Sequence, residues 1–196
     1  MNNELFEQLL QLHKKDADIR QKMLEAGKLH GGYSPELQQV HRENAEALDK
    51  LIEAHGWPSV SQVGAKGAQL AWEIAQHANC TPDLQRKFFK LLGQAAAQGE
   101  AAKQHVALLS DRIRFNEGRP QIYGTVLDWN EQGELGCALQ NPDMVDELRK
   151  AVSLPPFEQS LQEHRQTIAD EGGKPPEDFQ AYKEQQEAWA QQTGWR

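Results

Sequence analysis

The sequence predicts a mainly α fold, a multi-helix bundle that carries one small antiparallel β-hairpin. Apolar residues recur at steps of three, four and seven along most of the chain, as they do on the buried stripe of a helix. Glycine and proline clusters interrupt this pattern at intervals that suit helices of ordinary length. Residues 121–139 depart from it, because β-branched and aromatic side chains there flank an Asn-Glu-Gln-Gly turn.

Helical periodicity and start signals predict five helices in the first part of the chain. Serine or threonine followed by proline marks two of the starts, because the hydroxyl caps the first turn and proline fits its first position. The first helix spans residues 3 to about 26 and is ended by Gly27 and Gly31-Gly32, the second runs from Ser34-Pro35 to about His55, the third begins at Ser61 or Gln62, the fourth at Thr81-Pro82, and the fifth lies between Gly99-Glu100 and Gly118. Small residues on the inward face of the third helix predict a central position for it.

The hairpin is predicted to have its first strand over residues 121–129 and its second over residues 134–139. Alternation then places Gln121, Tyr123 and Thr125 on one face of the first strand. Because a lone hairpin is marginal in water, we expect this one to pack on the helices.

The remainder of the chain predicts two further helices, a linker and a C-terminal segment. The helices cover about 142–152 and 156–170, and the linker is Gly-Gly-Lys-Pro-Pro. Aromatic residues at helical spacing in the last twenty residues favour a docked helix over a frayed tail. The predicted organisation is an N-terminal amphipathic helix (1–30), a core domain (31–171), and a linker with a Gln/Glu-rich C-terminal helix or tail (172–196).

Charge and composition exclude several classes of function. The 196 residues contain 21 Lys and Arg against 29 Asp and Glu, a net charge of −8, which argues against nucleic-acid binding. There is no run of about 18 apolar residues and no basic-then-apolar leader, so we expect no membrane partner and a cytoplasmic location. Cys80 and Cys137 form no CxxC motif, and we expect both to be buried, inert thiols.

The third helix carries the first candidate for catalysis, His77. Glu73 lies four residues earlier, where a carboxylate can orient an imidazole as a general base or acid, and Asp111 is the other carboxylate that could do so. The alternative is an ion pair at the surface near the end of the helix. Because the sequence has no H-E-x-x-H motif and no third ligand at diagnostic spacing, we expect neither a metal ion nor another cofactor.

Two further groups of polar residues are candidates for substrate binding. Arg112 borders the buried stripe of the fifth helix and needs a partner, which is either a carboxylate such as Asp111 or a bound anion. The polar strand face of Gln121, Tyr123 and Thr125 suits a small polar ligand, or else it simply faces solvent.

Several short motifs in a fixed order resemble a bacterial family catalogued only as a domain of unknown function. They are Gly56-Trp57-Pro58, Trp72 with Gln76-His77-Ala78, Leu109 with Asp111-Arg112, and Pro120-Gln121 with Tyr123-Gly124-Thr125. The resemblance covers roughly residues 37–165. It implies that Gln76, His77, Asp111, Arg112, Gln121, Tyr123 and Thr125 belong together. This chain departs from the family in having Asn79-Cys80 where an acidic residue is usual.

Two hypotheses of function follow. The first is a metal-independent hydrolase or transferase that acts on a small polar or anionic substrate in a pocket formed by His, Arg and Tyr side chains. Its catalytic residues would be His77, Asp111 and Tyr123, and its substrate-binding residues Gln76, Arg112, Gln121, Thr125 and Trp72. The alternative is a non-enzymatic protein-binding or immunity-type protein, in which an acidic surface meets the partner and the polar set is structural.

Overall fold

The computed structural model describes residues 2–28 and 33–196. Over these residues the chain forms eight α-helices and a single two-stranded antiparallel sheet, which confirms the predicted fold class. The helices are α1 (Asn3–Glu25), α2 (Pro35–His55), α3 (Val60–His77), α4 (Pro82–Ala97), α5 (Lys103–Asn116), α6 (Val145–Ala151), α7 (Phe157–Asp170) and α8 (Phe179–Thr193), and the strands are β1 (Asp128–Trp129) and β2 (Leu135–Gly136). The predicted helix end at Gly31-Gly32 lies outside the described residues.

The chain is organised as two compact units, and the boundary between them falls within α5. Unit 1 ends at Leu109, and unit 2 runs from Ser110 to Arg196. The sequence-based segments 1–30, 31–171 and 172–196 stay a prediction of domain organisation. No described helix combines the length and the apolar character that crossing a bilayer requires.

Unit 1 is built by α1 to α4 and the first part of α5 around an apolar core. Side-chain caps at Asn2, Ser34 and Ser59 fix the starts of its first three helices. Helix α3 contacts α1, α2 and α4, which agrees with the central position predicted from its small residues. A Cβ on Gly67 would come within 3.1 Å of Phe6, so the missing side chain lets α1 approach α3 closely.

Unit 2 contains the hairpin, a short 3-10 helix at Pro142–Met144, and helices α6, α7 and α8. Asp128 pairs with Gly136 and Trp129 with Leu135, so each strand is only two residues long. Helix α8 is docked within the unit, with Ala190 and the following Trp195 both buried.

The predicted strand over residues 121–129 is wrong for its first seven residues. Residues 122–127 form a loop, and Gln121 makes an isolated bridge with Leu139. The physical reason is that the backbone N–H groups a strand partner would need are bound by the carboxylate of Asp111. Gln121, Tyr123 and Thr125 therefore do not share the face of a strand.

Candidate functional site

Three helices of unit 1 bring a carboxylate and two imidazoles together. Asp16 of α1 binds His41 of α2, with 3.0 Å between its Oδ1 and the Nε2 of His41. The other oxygen of Asp16, Oδ2, accepts a short hydrogen bond from Nδ1 of His77, the last residue of α3. The two imidazole rings stack with their centroids 5.0 Å apart. We call these three residues the Asp16 cluster.

The apolar pattern of the helices explains why these side chains point inward. On α1 the buried residues include Leu9, Asp16 and Met23, so the aspartate lies seven residues from an apolar neighbour on each side. On α2, His41 follows Leu37 by four residues on the buried stripe. A titratable residue in place of an apolar one on such a stripe is the sequence signal that identifies Asp16 and His41, and the sequence analysis missed it.

A second layer of contacts holds the Asp16 cluster in place. The hydroxyl of Tyr33 lies 2.6 Å from Nδ1 of His41, and the Sγ of Cys80 lies 3.4 Å from the same hydroxyl. The side-chain amide of Asn44, one turn after His41, donates to the carbonyl of Leu12 at 2.9 Å. These contacts fix the ring of His41 and tie α1 to α2 beside the cluster.

Exposure differs among the three members of the cluster. The side chains of Asp16 and His41 are only 8% and 3% exposed, whereas that of His77 is 30% exposed. His77 is therefore the most exposed member of the cluster, and its Nε2 has no hydrogen bond to a described residue.

Charge and burial set the protonation states of the pair. Burial alone raises the pKa of Asp16, but the hydrogen bonds and charges of His41 and His77 outweigh it and hold the pKa well below its usual range. Burial lowers the pKa of His77, and the opposing hydrogen bond and charge of Asp16 do not reverse this. Near neutral pH the pair is a carboxylate beside a neutral imidazole, whose Nδ1–H donates to Asp16.

The carboxylate that orients His77 is Asp16, and not Glu73 as the helical spacing predicts. Glu73 instead lies beside His13, with 2.8 Å between Oε2 and Nε2, and accepts a hydrogen bond from Gln69. The i,i+4 rule identifies residues on one helix that could meet, but it does not see a competing partner on α1.

Trp72 and Gln76, two of the predicted substrate-binding residues, lie in unit 1 on α3. The indole of Trp72 stacks on His105, with the ring centroids 4.1 Å apart. The side-chain nitrogen of Gln76 lies 3.4 Å from the carbonyl oxygen of Leu108. Both contacts join α3 to α5 within the unit.

The other predicted site residues lie in unit 2, where Asp111 organises the loop that follows α5. Its fully buried carboxylate accepts hydrogen bonds from the backbone N–H groups of Ile122, Tyr123 and Thr125 and from the hydroxyl of Thr125, at 2.8–3.2 Å. Burial raises the pKa of Asp111, and burial also raises that of Tyr123 with help from the charge of Asp111. Arg112 is half-buried on the same helix.

Gln121 and Arg149 hold the same loop from other directions. The side-chain oxygen of Gln121 accepts from the N–H groups of Thr125 and Val126 at 2.9 Å, and its nitrogen donates to the carbonyl of Val126. The guanidinium of Arg149, only 2% exposed, donates to the carbonyl of Tyr123 at 2.6 Å. The structure therefore joins four of the predicted site residues in one hydrogen-bonded network around this loop: Asp111, Gln121, Tyr123 and Thr125.

Unit 2 also contains a cavity of about 710 Å³ beside the hairpin and α8. Its lining includes Asp128, Lys183 and Arg196. These charges are satisfied locally, since Lys183 bonds to Asp128 at 3.0 Å and Arg196 pairs with Glu187. The cavity walls thus offer aromatic and apolar surface more than unpaired charge.

The comparison of the chain with protein families shows to which family it belongs. The model of DUF6624, a family of unknown function, matches residues 3–169, and the chain belongs to this family. The match includes α1, which carries Asp16 and lies outside the span of the resemblance seen in the motifs. No curated protein and no solved structure matches the chain.

Proposed function

We propose that this chain is an enzyme that catalyses hydrolysis or group transfer on a small polar or anionic substrate, with His77 as the proton acceptor. The observation that carries the proposal is the hydrogen bond from Nδ1 of His77 to the buried carboxylate of Asp16, which leaves Nε2 of this partly exposed side chain without a hydrogen bond to a described residue. This is the arrangement by which a carboxylate fixes the tautomer and orientation of a catalytic base.

The chemistry follows from that arrangement. Nε2 of His77 takes a proton from water or from a hydroxyl of the substrate, and the oxygen so activated forms a bond to the electrophilic centre. The bond from that centre to the leaving group breaks, and the leaving group departs with the proton that His77 returns. Asp16 stabilises the imidazolium that forms, and His41 keeps the carboxylate in position by binding its other oxygen. A positioned base of this kind contributes about 100- to 10,000-fold to a rate.

The position of Arg20 favours an anionic substrate over a neutral one. It follows Asp16 by one turn of α1, is half-buried, and lies near enough to His77 for its charge to contribute to lowering the pKa of the imidazole. A guanidinium beside the base suits a phosphate or carboxylate group on the molecule that reacts.

The catalytic roles of Asp111 and Tyr123 stay predictions and the proposal does not use them. The hydrogen bonds of Asp111 and Gln121 go to the loop at residues 122–127, which includes Thr125. Positioning that loop explains their burial without any substrate.

The test compares hydrolysis of two small probes, p-nitrophenyl acetate and p-nitrophenyl phosphate, by the wild-type protein and by single variants. We expect His77→Gln to lower the turnover of the accepted probe by about 100-fold or more, and Asp16→Asn to lower it by a similar factor. The control is His13→Gln, which removes the imidazole of the other His–carboxylate pair of unit 1 and should keep the wild-type rate.

Two results would contradict the proposal. One is a rate in His77→Gln equal to that of the wild type. The other is the absence of turnover with either probe together with a clear fall in melting temperature in His77→Ala, which is the outcome expected of a structural residue in a non-enzymatic binding protein.

A further inference from the structure

We propose that Asp16, His41 and His77 also form a binding site for one divalent transition-metal ion such as Zn²⁺. The sequence gives no sign of it, because the three ligands come from three helices and none is at the spacing of a known metal motif. The structure supplies the third ligand that the sequence analysis found missing.

The separation of the ligand atoms suits a single ion. One atom from each residue lies within 4.8 Å of the others, and Oδ1 of Asp16 is 3.0 Å from Nε2 of His41. Zinc binds nitrogen and oxygen at about 2.0–2.2 Å, so two ligands of a tetrahedral site lie roughly 3.4 Å apart. Small rotations of side chains would therefore admit the ion without moving a helix.

The types of ligand select the class of ion. Two imidazoles and one carboxylate suit Zn²⁺, Fe²⁺ or Co²⁺, whereas Ca²⁺ and Mg²⁺ prefer oxygen ligands alone. Three protein ligands leave a fourth tetrahedral position for water, as in sites where zinc is reactive. His77 is the most exposed of the three, so that position would open on its side of the cluster.

The contacts of His41 match those of an established kind of metal ligand. A histidine that binds metal through one ring nitrogen usually donates the other N–H to a polar oxygen. With Nε2 on the ion, Nδ1–H of His41 would donate to the hydroxyl oxygen of Tyr33, 2.6 Å away. Tyr33 is thus a positioning residue for the site.

His77 cannot bind a metal ion and accept a proton in the proposed reaction at the same time. This expectation rests on the proposed function, whereas the metal site does not. The ion would occupy Nδ1 of His77 and an oxygen of Asp16, which are the two atoms whose hydrogen bond orients the base. We therefore expect occupancy by the ion to inhibit turnover.

The binding experiment uses the full-length protein without a histidine tag, freed of metal by EDTA. Co²⁺ is titrated with detection of its visible absorption, and Zn²⁺ by calorimetry. We expect one equivalent to bind, His77→Gln to weaken binding by at least 100-fold, and Tyr33→Phe to weaken it by about tenfold. His77 is chosen over the more buried His41 because its substitution is less disruptive to folding.

The matched control is His13→Gln, which should bind within twofold of the wild type. Equal affinity of His77→Gln and the wild type would overturn the inference, as would a site lost in His13→Gln. An unchanged Co²⁺ spectrum in Tyr33→Phe with unchanged affinity would remove Tyr33 from the site.

Activity measurements separate this inference from the proposed function. Inhibition of probe hydrolysis by one equivalent of Zn²⁺, reversed by EDTA, supports both. If Zn²⁺ binds and turnover rises or stays unchanged, the metal site stands and the proposal that His77 acts as a metal-free base is wrong. Activity that depends on His77 in a protein that binds neither ion overturns the metal site and leaves the proposed function standing.

Discussion

At the scale of single residues, a carboxylate serves a different purpose in each unit. Asp16 binds two imidazoles, and Nε2 of one of them, His77, has no hydrogen bond to a described residue. Asp111 binds only backbone N–H groups and one hydroxyl of its own loop. The proposed proton transfer therefore uses the first, whereas the hydrogen bonds of the second hold the loop at residues 122–127.

Asp111→Asn tests that division of roles. The amide places a donor against N–H groups that need an acceptor, so we expect a loss of about 2–4 kcal/mol in the free energy of unfolding. Urea denaturation followed by circular dichroism measures it. Asp143→Asn, at an exposed aspartate in the same unit, is the control and should change stability by less than about 0.5 kcal/mol. Equal stabilities of the two variants would show that the buried carboxylate is not needed.

At the scale of elements, the sequence predicts the helices and does not predict the loop. The helices follow from apolar periodicity and from caps such as Ser34 and Ser59, which are local in sequence. Residues 122–127 alternate as a strand does, but their hydrogen bonds go to a carboxylate 11–14 residues earlier on α5. Alternation cannot show a competitor for backbone N–H groups that lies on another element.

The conformation of this loop requires glycine at position 124, and substitution of Gly124 tests that requirement. The residue has a φ of +65°, and a Cβ would meet the ring of Phe157 at 2.5 Å. We expect Gly124→Ala to lower the free energy of unfolding by about 2 kcal/mol or more, from left-handed strain and overpacking together.

Gly136→Ala is the control for Gly124→Ala, because a Cβ there meets nothing within 4 Å and the backbone does not have a positive φ. Its melting temperature should stay close to that of the wild type. If Gly124→Ala also keeps the wild-type melting temperature, the loop tolerates a side chain at Gly124 and the strain argument is wrong.

At the scale of the whole molecule, the sequence indicates candidate polar residues but does not show which residues of other helices contact them. The sequence indicates His77 through its helical spacing and the motif resemblance, yet its partners Asp16 and His41 lie 61 and 36 positions earlier in the chain. Such pairs are created by the packing of α1, α2 and α3, and periodicity shows only that each helix buries one face.

Helix α8 lies beyond the family match, which ends at residue 169. Asp128 of the hairpin forms hydrogen bonds with this helix. The carboxylate, 14% exposed, accepts hydrogen bonds from the hydroxyl of Tyr182, from Lys183 at 3.0 Å and from Gln186 at 3.2 Å. Burial and the bonded carboxylate both raise the pKa of Tyr182, so its hydroxyl stays a donor. One residue of the hairpin thus holds three residues of α8.

Asp128→Ala should therefore release α8, because three polar side chains lose their common acceptor at once. We expect faster hydrogen exchange in a peptide covering residues 179–193, by about tenfold, which corresponds to roughly 1.4 kcal/mol of local stability. Asp143→Ala removes an exposed carboxylate of the same unit and should leave that exchange unchanged. If both variants exchange at the wild-type rate, burial of Ala190 and Trp195 is enough to dock α8, and the aspartate is dispensable for it.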